Sequence, residues 1–356
     1  MNVEFMEALA ALEKEKGISK EYLIDALENA LISAYRRNYA QGDAVLGNAR
    51  ADVDRDTGEV HIYVSKSVVG EVENPLAEIS LENAKKINPL YCEGDVVEEE
   101  VWPKNFGRIA AQTAKQVIVQ RIREAEKGMI YNEYVEKENE VLTAIVQHVE
   151  RNGVYVELGK IEGFIDAREI PAGETYENYS KIKVYVLKVL NGNKGPQVMA
   201  SRTHPGLVKR LFELEVPEIQ SGIVQIKSIA REAGARTKVA VYSTDPRVDA
   251  VGSCVGPKGI RVERIVSELR AEKIDIIEWD ADPAIYIAKA LSPAKVLMVY
   301  INEVDKAAKV VVPDGQLSLA IGKDGQNARL AVKLTGWKID IKSQSQIAEA
   351  ADSDIE

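Results

Sequence analysis

The sequence predicts a multidomain α+β chain: an α/β N-terminal domain, then a small β-barrel, then one α+β unit repeated in tandem. Three observations predict it. The pattern helix, Gly-x-x-Gly, helix, strand occurs twice in the last third of the chain, at Gly256-Pro257-Lys258-Gly259 and at Gly322-Lys323-Asp324-Gly325, and each copy runs on to a Lys-Ile-Asp-Ile strand. Residues 138–201 are short alternating segments separated by glycine-containing turns, the signature of a small closed sheet. Residues 1–137 combine long amphipathic patterns with a hairpin pattern, as an α/β domain requires.

The N-terminal domain is expected over 1–130, including a connector helix. Ile18 and Ser19 read as a hydrophobic staple and N-cap, with Glu21 in the first turn. Leu23, Leu27, Leu31 and Tyr35 then recur at helical spacing and should face a core. Arg50–Val69 reads as a hairpin, from the alternation through Val60-His61-Ile62-Tyr63-Val64. Ile109–Lys127 reads as the connector helix. The acidic run Asp52–Glu59 has some likeness to a calcium loop, but that loop needs glycine at its sixth position and glutamate at its twelfth. Counting from Asp52, the chain has Thr57 and Tyr63 there, so the run is read as a hairpin turn.

Residues 135–201 should form a barrel of OB type. Val154, Val156 and Leu158 alternate with Tyr155 and Glu157, which puts Tyr155 on the face opposite the apolar set. Phe164 follows Gly163 in another short strand, and Lys181–Leu190 and Gln197–Arg202 complete the block. Asn152-Gly153-Val154-Tyr155-Val156 with Glu162-Gly163-Phe164-Ile165 resembles an S1 domain. On the open face of such a barrel Tyr155 and Phe164 would stack bases; turned inward they would be ordinary packing aromatics.

The repeats are expected over 202–280 and 281–345, followed by an acidic tail, 346–356. Strand pairs are predicted at Ser221–Ala230 with Thr237–Ser243, and at Ala294–Ile301 with Ala307–Val312. The strands, the Gly-x-x-Gly loop between two helices and the closing strand make each unit a type II KH domain, whose loop clamps about four nucleotides of single-stranded RNA. Glycines let a phosphodiester backbone approach closely, and the following helix presents its N-terminal N–H groups to phosphate. The candidate RNA-binding residues are Gly256, Pro257, Lys258, Gly259 and Arg261 in the first unit. In the second they are Gly322, Lys323, Asp324, Gly325, Gln326, Asn327 and Arg329. Lys258, Arg261, Lys323 and Arg329 would supply charge.

The net charge of −10 looks wrong for an RNA binder until it is divided. Residues 1–137 carry −8 and 138–201 carry −2, whereas 202–345 hold 22 basic against 18 acidic side chains, net +4. Positive charge gathers where the Gly-x-x-Gly loops lie, as phosphate binding demands. Hydrophobic residues make up 46% of the chain, enough for buried cores, and no apolar run approaches the roughly 20 residues of a membrane span. Two cysteines, Cys92 and Cys254, give no disulfide framework and fit a reducing cytoplasm. No P-loop, HExxH or zinc-spaced Cys/His cluster occurs, and His61, His148 and His204 are scattered. A non-enzyme without metal or cofactor is therefore expected.

An S1 unit followed by two KH units behind an acidic N-terminal domain resembles the NusA family of bacterial transcription factors. The specific stretches are Phe106–Gln116 (FGRIAAQTAKQ), Leu211–Ile219 (LFELEVPEI), Val251–Gly256 (VGSCVG) and Gln316–Lys323 (QLSLAIGK). The resemblance implies docking of the N-terminal domain on RNA polymerase, at the β-subunit flap near the RNA exit channel. It implies that nascent RNA is received by the S1 and KH units, that pausing, hairpin-dependent termination and antitermination are modulated, and that other Nus factors are partners. On it, Lys104, Arg108 and Lys115 would face polymerase or exiting RNA, against the plain alternative of a solvated helix face. Some members carry acidic repeats after the second KH unit, and functions tied to those are not expected here. A monomer is expected. The rival reading is a ribosomal RNA-binding maturation factor.

Overall fold

The computed structural model describes residues 3–39, 49–75, 77–102, 106–192, 195–270 and 272–347. It divides into two compact units, one reaching Met129 and the other starting at Ile130.

In the first unit, α1 (Val3–Lys16) and α2 (Lys20–Tyr39) pack on the hairpin of β1 (Ala49–Val53) and β2 (Val60–Val69). Leu23, Leu27, Leu31 and Tyr35 are all buried, as their spacing requires. Helix α2 opens directly after Ser19, and the Lys20 N–H donates across the turn to Glu13 Oε1 at 3.2 Å. The acidic run does close the hairpin. Asp54 Oδ1 accepts the N–H groups of Thr57 (2.6 Å) and Asp56 (2.9 Å), and those bonds lower its carboxyl pKa. Arg55 reaches Glu28 at 2.6 Å and ties the turn to α2. The far half of β2 pairs with β3 (Glu78–Ser80) and β4 (Val96–Glu100), and α3 (Leu81–Ile87) closes a small core of Val68, Ala84 and Val97. Helix α4 (Phe106–Val135) is longer than the predicted Ile109–Lys127. Its C-terminal residues Ile130, Tyr131, Tyr134 and Val135 pack on the barrel core of the second unit's own residues, which prolongs the helix past Lys127.

The second unit begins with a closed barrel of β5 (Val141–Glu150), β6 (Gly153–Glu157), β7 (Glu162–Asp166), β8 (Lys181–Gly192) and β9 (Gly195–Ser201), in the order β5-β6-β7-β9-β8. Val146, Val154, Val156, Ile165, Val184, Val186 and Val198 fill it. The first repeat follows: α5 (Pro205–Glu215), α6 (Pro217–Gln220), β10 (Val224–Glu232), β11 (Arg236–Ser243), α7 (Ala250–Val255), α8 (Ile260–Glu268) and β12 (Lys273–Glu278). The second repeat is α9 (Pro283–Ala290), β13 (Met298–Asn302), β14 (Ala307–Val312), α10 (Leu317–Ile321), α11 (Gln326–Thr335) and β15 (Lys338–Ser343). In each, two antiparallel strands are joined by a third that runs parallel to the middle one. The first strands start later than predicted, at Val224 and Met298. In the second repeat, pairing opens only where the Leu297 N–H donates to the Val311 carbonyl at 2.8 Å.

The modules of the second unit are joined by buried polar contacts. Arg202, predicted to end the last barrel strand, lies beyond β9 and is 1% exposed. Its guanidinium bonds Glu174 at 2.9 and 3.0 Å, the Lys183 carbonyl at 2.8 Å and Glu268 at 3.3 Å. Next to it, His204 caps α5: its Nδ1 accepts the Gly206 N–H at 3.0 Å, and its ring stacks on Tyr185 at 4.6 Å. Between the repeats, Ala230, Ala240 and Ile277 of the first sheet share one core with Tyr286, Ile287, Leu330 and Ala331 of the second repeat.

Candidate nucleic-acid interface

The two Gly-x-x-Gly loops have nearly the same backbone. Gly256 has φ 74°, ψ 173° and Gly322 has φ 79°, ψ 170°. The third and fourth residues of each loop are both left-handed: Lys258 (φ 56°) with Gly259 (φ 79°), and Asp324 (φ 51°) with Gly325 (φ 74°). Lys258 and Asp324 thus hold a conformation that non-glycine residues seldom adopt. The turn delivers the chain into α8 and α11, whose first-turn N–H groups have no intrahelical acceptors.

The two glycines of each loop do different work. A Cβ on Gly256 would lie 2.6 Å from Arg261 Cγ, and one on Gly322 would lie 2.7 Å from the Asn327 N atom and 2.8 Å from its Cβ. The Cβ direction of each first glycine is therefore filled by protein: the missing side chain there makes room for Arg261 or Asn327. A Cβ on Gly259 would meet nothing within 4 Å, and one on Gly325 only an Arg329 nitrogen at 3.4 Å. The second glycine is the open one.

Several predicted contacts are already engaged. Arg261, expected to offer charge, donates to the Ser253 carbonyl at 2.6 Å and to Glu218 at 2.9 Å. Asn327 is 3% exposed, so it faces the core rather than a ligand. Its Nδ2 donates to the carbonyls of Leu291 (2.9 Å) and Ala320 (3.0 Å). Arg329 and Gln326 both bind Glu232 of the first repeat, at 3.1 and 2.9 Å, and the Gln326 bond foremost lowers the Glu232 pKa. Pro257, Lys258, Lys323 and Asp324 are exposed, as is Ile260 beside the first loop and Ile321 beside the second. Among the described residues neither Lys258 nor Lys323 has an ion-pair partner. Cys254 is buried in α7 under the first loop, and burial pushes its thiol up to about 12, far from a reactive thiolate.

On the barrel, Tyr155 and Phe164 are brought together. They are register partners on β6 and β7, half-buried, with ring centroids 4.9 Å apart. The structure adds a third ring that sequence reading missed. His148 of β5 stacks on Tyr155 at 4.5 Å and 14°. Strict alternation from the buried Ala144 and Val146 would turn His148 inward. A bulge between Val146 and His148 shifts it outward, opposite Tyr155, and nothing in the sequence marks that bulge. Gly153 makes room for the strand pairing and for the row, since a Cβ there would meet the Ile165 carbonyl oxygen first and the Phe164 ring at 2.7 Å. The three neighbouring rings, His148 stacked on Tyr155 and Phe164 tilted beside it, make an aromatic surface of the kind on which bases stack.

On α4, Arg108 and Lys115 are exposed; Lys104 lies outside the described residues. Lys115 lines a surface groove of about 760 Å³ with Gln116, Val119, Arg123 and Lys127.

Comparison with known proteins agrees with this geometry. The family model of the NusA N-terminal domain matches residues 4–128, and that of the S1 RNA binding domain matches 136–200. The NusA-like first and second KH domain models match 202–279 and 283–349. The chain is 58% identical over 349 residues to the transcription termination/antitermination protein NusA of Bacillus subtilis, covering 98% of this chain and 93% of that one. It is 42% identical to the protein of the same name from Thermus thermophilus, covering 99% and 92%. Among solved structures, the N-terminal domain of NusA from B. subtilis is 57% identical, with a TM-score of 0.31, and covers 36% of this chain and 99% of that one.

Proposed function

This chain belongs to the NusA family, and from that premise we propose that it docks on RNA polymerase and holds nascent single-stranded RNA. It is a transcription termination/antitermination factor with S1 and KH RNA-binding domains. The finer reading has residues 1–130 bind polymerase at the β-subunit flap, with Arg108 and Lys115 toward exiting RNA. Residues 135–201, 202–280 and 281–345 then take the RNA, and other Nus factors join for antitermination. The observation that carries it is the repeated loop: two turns of the same geometry, each with an exposed lysine that has no ion-pair partner among the described residues.

Tethering supplies the affinity. Each loop grips only about four nucleotides, so each alone is weak. Anchoring the modules to polymerase raises the local RNA concentration to roughly millimolar, which fills weak sites. RNA held in this way favours a nascent hairpin and lengthens a pause.

The test is transcription in vitro with polymerase of the same organism on a hairpin-pause template. The protein should lengthen the pause, and removal of residues 1–130 should abolish that effect. Lys258→Asp with Lys323→Asp should also abolish it while polymerase binding persists. An unchanged pause lifetime with RNA binding intact would overturn the polymerase role and point to ribosomal RNA as the target.

A further inference from the structure

The sheet of the first repeat is covered on its outer face by α9 and α11, whereas none of the described elements covers the same face of the second repeat: there Met298 and Tyr300 are exposed on the edge strand, and Val311 of the middle strand is buried between its neighbours. The strand registers allow a residue-by-residue comparison. The row Ala230–Lys238–Asp275 in the first sheet corresponds to Tyr300–Lys309–Asp340 in the second. The row Ser228–Ala240–Ile277 corresponds to Met298–Val311–Lys342. In the first sheet Lys238 is fully buried and spent on Asp275 (3.1 Å) and the Ser292 carbonyl of the second repeat (2.7 Å). Its counterpart Lys309 is half-buried and has no ion-pair partner among the described residues.

Two replacements accompany the uncovering. Where the covered face has Ala230, the open face has Tyr300, 55% exposed. Where the covered face has Ile277, the open face has Lys342. The cover of the first repeat rests on Ala230, Ala240 and Ile277 and takes in Lys238 only because Asp275 and the Ser292 carbonyl satisfy it; a lysine in place of Ile277 opposes such a cover. A ring flanked by cations instead suits single-stranded nucleic acid, whose bases stack and whose phosphates are negative. The charge agrees: Lys309, Lys338 and Lys342 stand against Asp340 alone on these strands' outer face, and Asp340 meets only Lys342, at a long 4.0 Å.

The face also adjoins the second loop. Strand β15 is a sheet edge and packs beside α10 and α11, which hold Gly322–Gly325. Tyr300 lies two strands in, about 10 Å from that edge at the usual strand spacing. An RNA strand that leaves the loop and turns over β15 therefore reaches the ring within a few nucleotides.

We propose that the open sheet of the second repeat is a further contact site for single-stranded RNA, with Tyr300 stacking a base and Lys309 and Lys342 facing phosphates. This rests on the RNA-binding reading of the Gly322–Gly325 loop. The test is fluorescence anisotropy of the full chain with labelled single-stranded RNA of two lengths: about 8 nucleotides, enough for two loops at about four each, and about twice that. Tyr300→Ala should leave the short RNA unaffected and weaken the long one roughly tenfold, the worth of about one stacked base. Tyr300→Phe should restore the affinity, because stacking needs the ring and not the hydroxyl. Equal affinities of wild type and Tyr300→Ala for the long RNA would overturn the proposal and leave the face to a protein partner or to solvent. Equal losses on both lengths would also overturn it, as general damage. Short-RNA affinity equal to that of wild type in Lys258→Asp with Lys323→Asp would instead sink the reading of the loops, since the barrel alone can leave only a remnant of it.

Discussion

Arg261 and Asn327 occupy the same position in the two repeats and do the same job with different chemistry. Each sits two residues after the second loop glycine, packs against the first, and donates to carbonyls of the last turn of the preceding helix: Ser253 for Arg261, Ala320 for Asn327. The loop shape is thus locked from inside the protein before any RNA arrives.

This separates the glycines experimentally. Gly259 and Gly325 are left-handed, so alanine there bears a penalty of about 1–2 kcal/mol; Gly256 and Gly322 combine positive φ with ψ near 170°, a region essentially closed to other residues, at about 1–3 kcal/mol. Only Gly256 and Gly322 add a clash, worth about 1–3 kcal/mol of overpacking. In urea denaturation, Gly256→Ala and Gly322→Ala should lose more stability than Gly259→Ala and Gly325→Ala. Equal losses within each pair would refute the division of labour.

The ring row on the barrel gives a second prediction. Gly153→Ala drives a methyl against the Ile165 carbonyl and into the Phe164 ring, so it disturbs the β6–β7 pairing together with the row. Affinity of the barrel surface for single-stranded RNA should fall by about 1–3 kcal/mol, one stacked base. His148→Ala should produce a similar loss. Isothermal titration with a short oligonucleotide measures both, and wild-type affinity in His148→Ala would exclude that ring from the platform.

Much of this was legible in the sequence because the signals are local. Period-four leucines gave α2, alternation gave the hairpin and Tyr155, and the duplicated loop gave both repeats. What escaped depends on contacts between distant residues. His148 turns outward through a bulge that no residue type announces. Asn327 and Arg261 look like ligand groups beside a phosphate loop, yet carbonyls from other helices and Glu218 claim them. The end of α4 is set by barrel residues that its own pattern cannot reveal.

The buried Arg202 should be costly to remove. Arg202→Ala leaves Glu174, 4% exposed, without its partner in the interior. Breaking a buried pair from one side costs about 3–5 kcal/mol. The double variant Arg202→Met with Glu174→Gln removes both charges and should recover most of that loss. Chemical denaturation of the two variants decides it. If the double variant is no more stable than Arg202→Ala, the cost lies in lost packing rather than in the orphaned carboxylate.

His204 should make the joint between barrel and first repeat sensitive to acid. Its Nδ1 accepts the Gly206 N–H and so must be unprotonated. Burial pushes its pKa below the ordinary value; Glu169 opposes this and Arg231 adds to it. An unfolded histidine takes up its proton near about 6.5. Between that value and the lower native one the unfolded chain binds more protons, so stability is complete above the unfolded pKa and is lost as pH falls through this window. Asparagine caps helices well and does not titrate in this range. The melting temperature of wild type should therefore drop more than that of His204→Asn as pH is lowered through this window. His61 shifts the opposite way, raised by its bond to Glu100, but it is present in both proteins and cancels in the difference. Equal drops would show that the cap tolerates protonation, for instance by turning the ring, and that the acid response of the chain arises elsewhere.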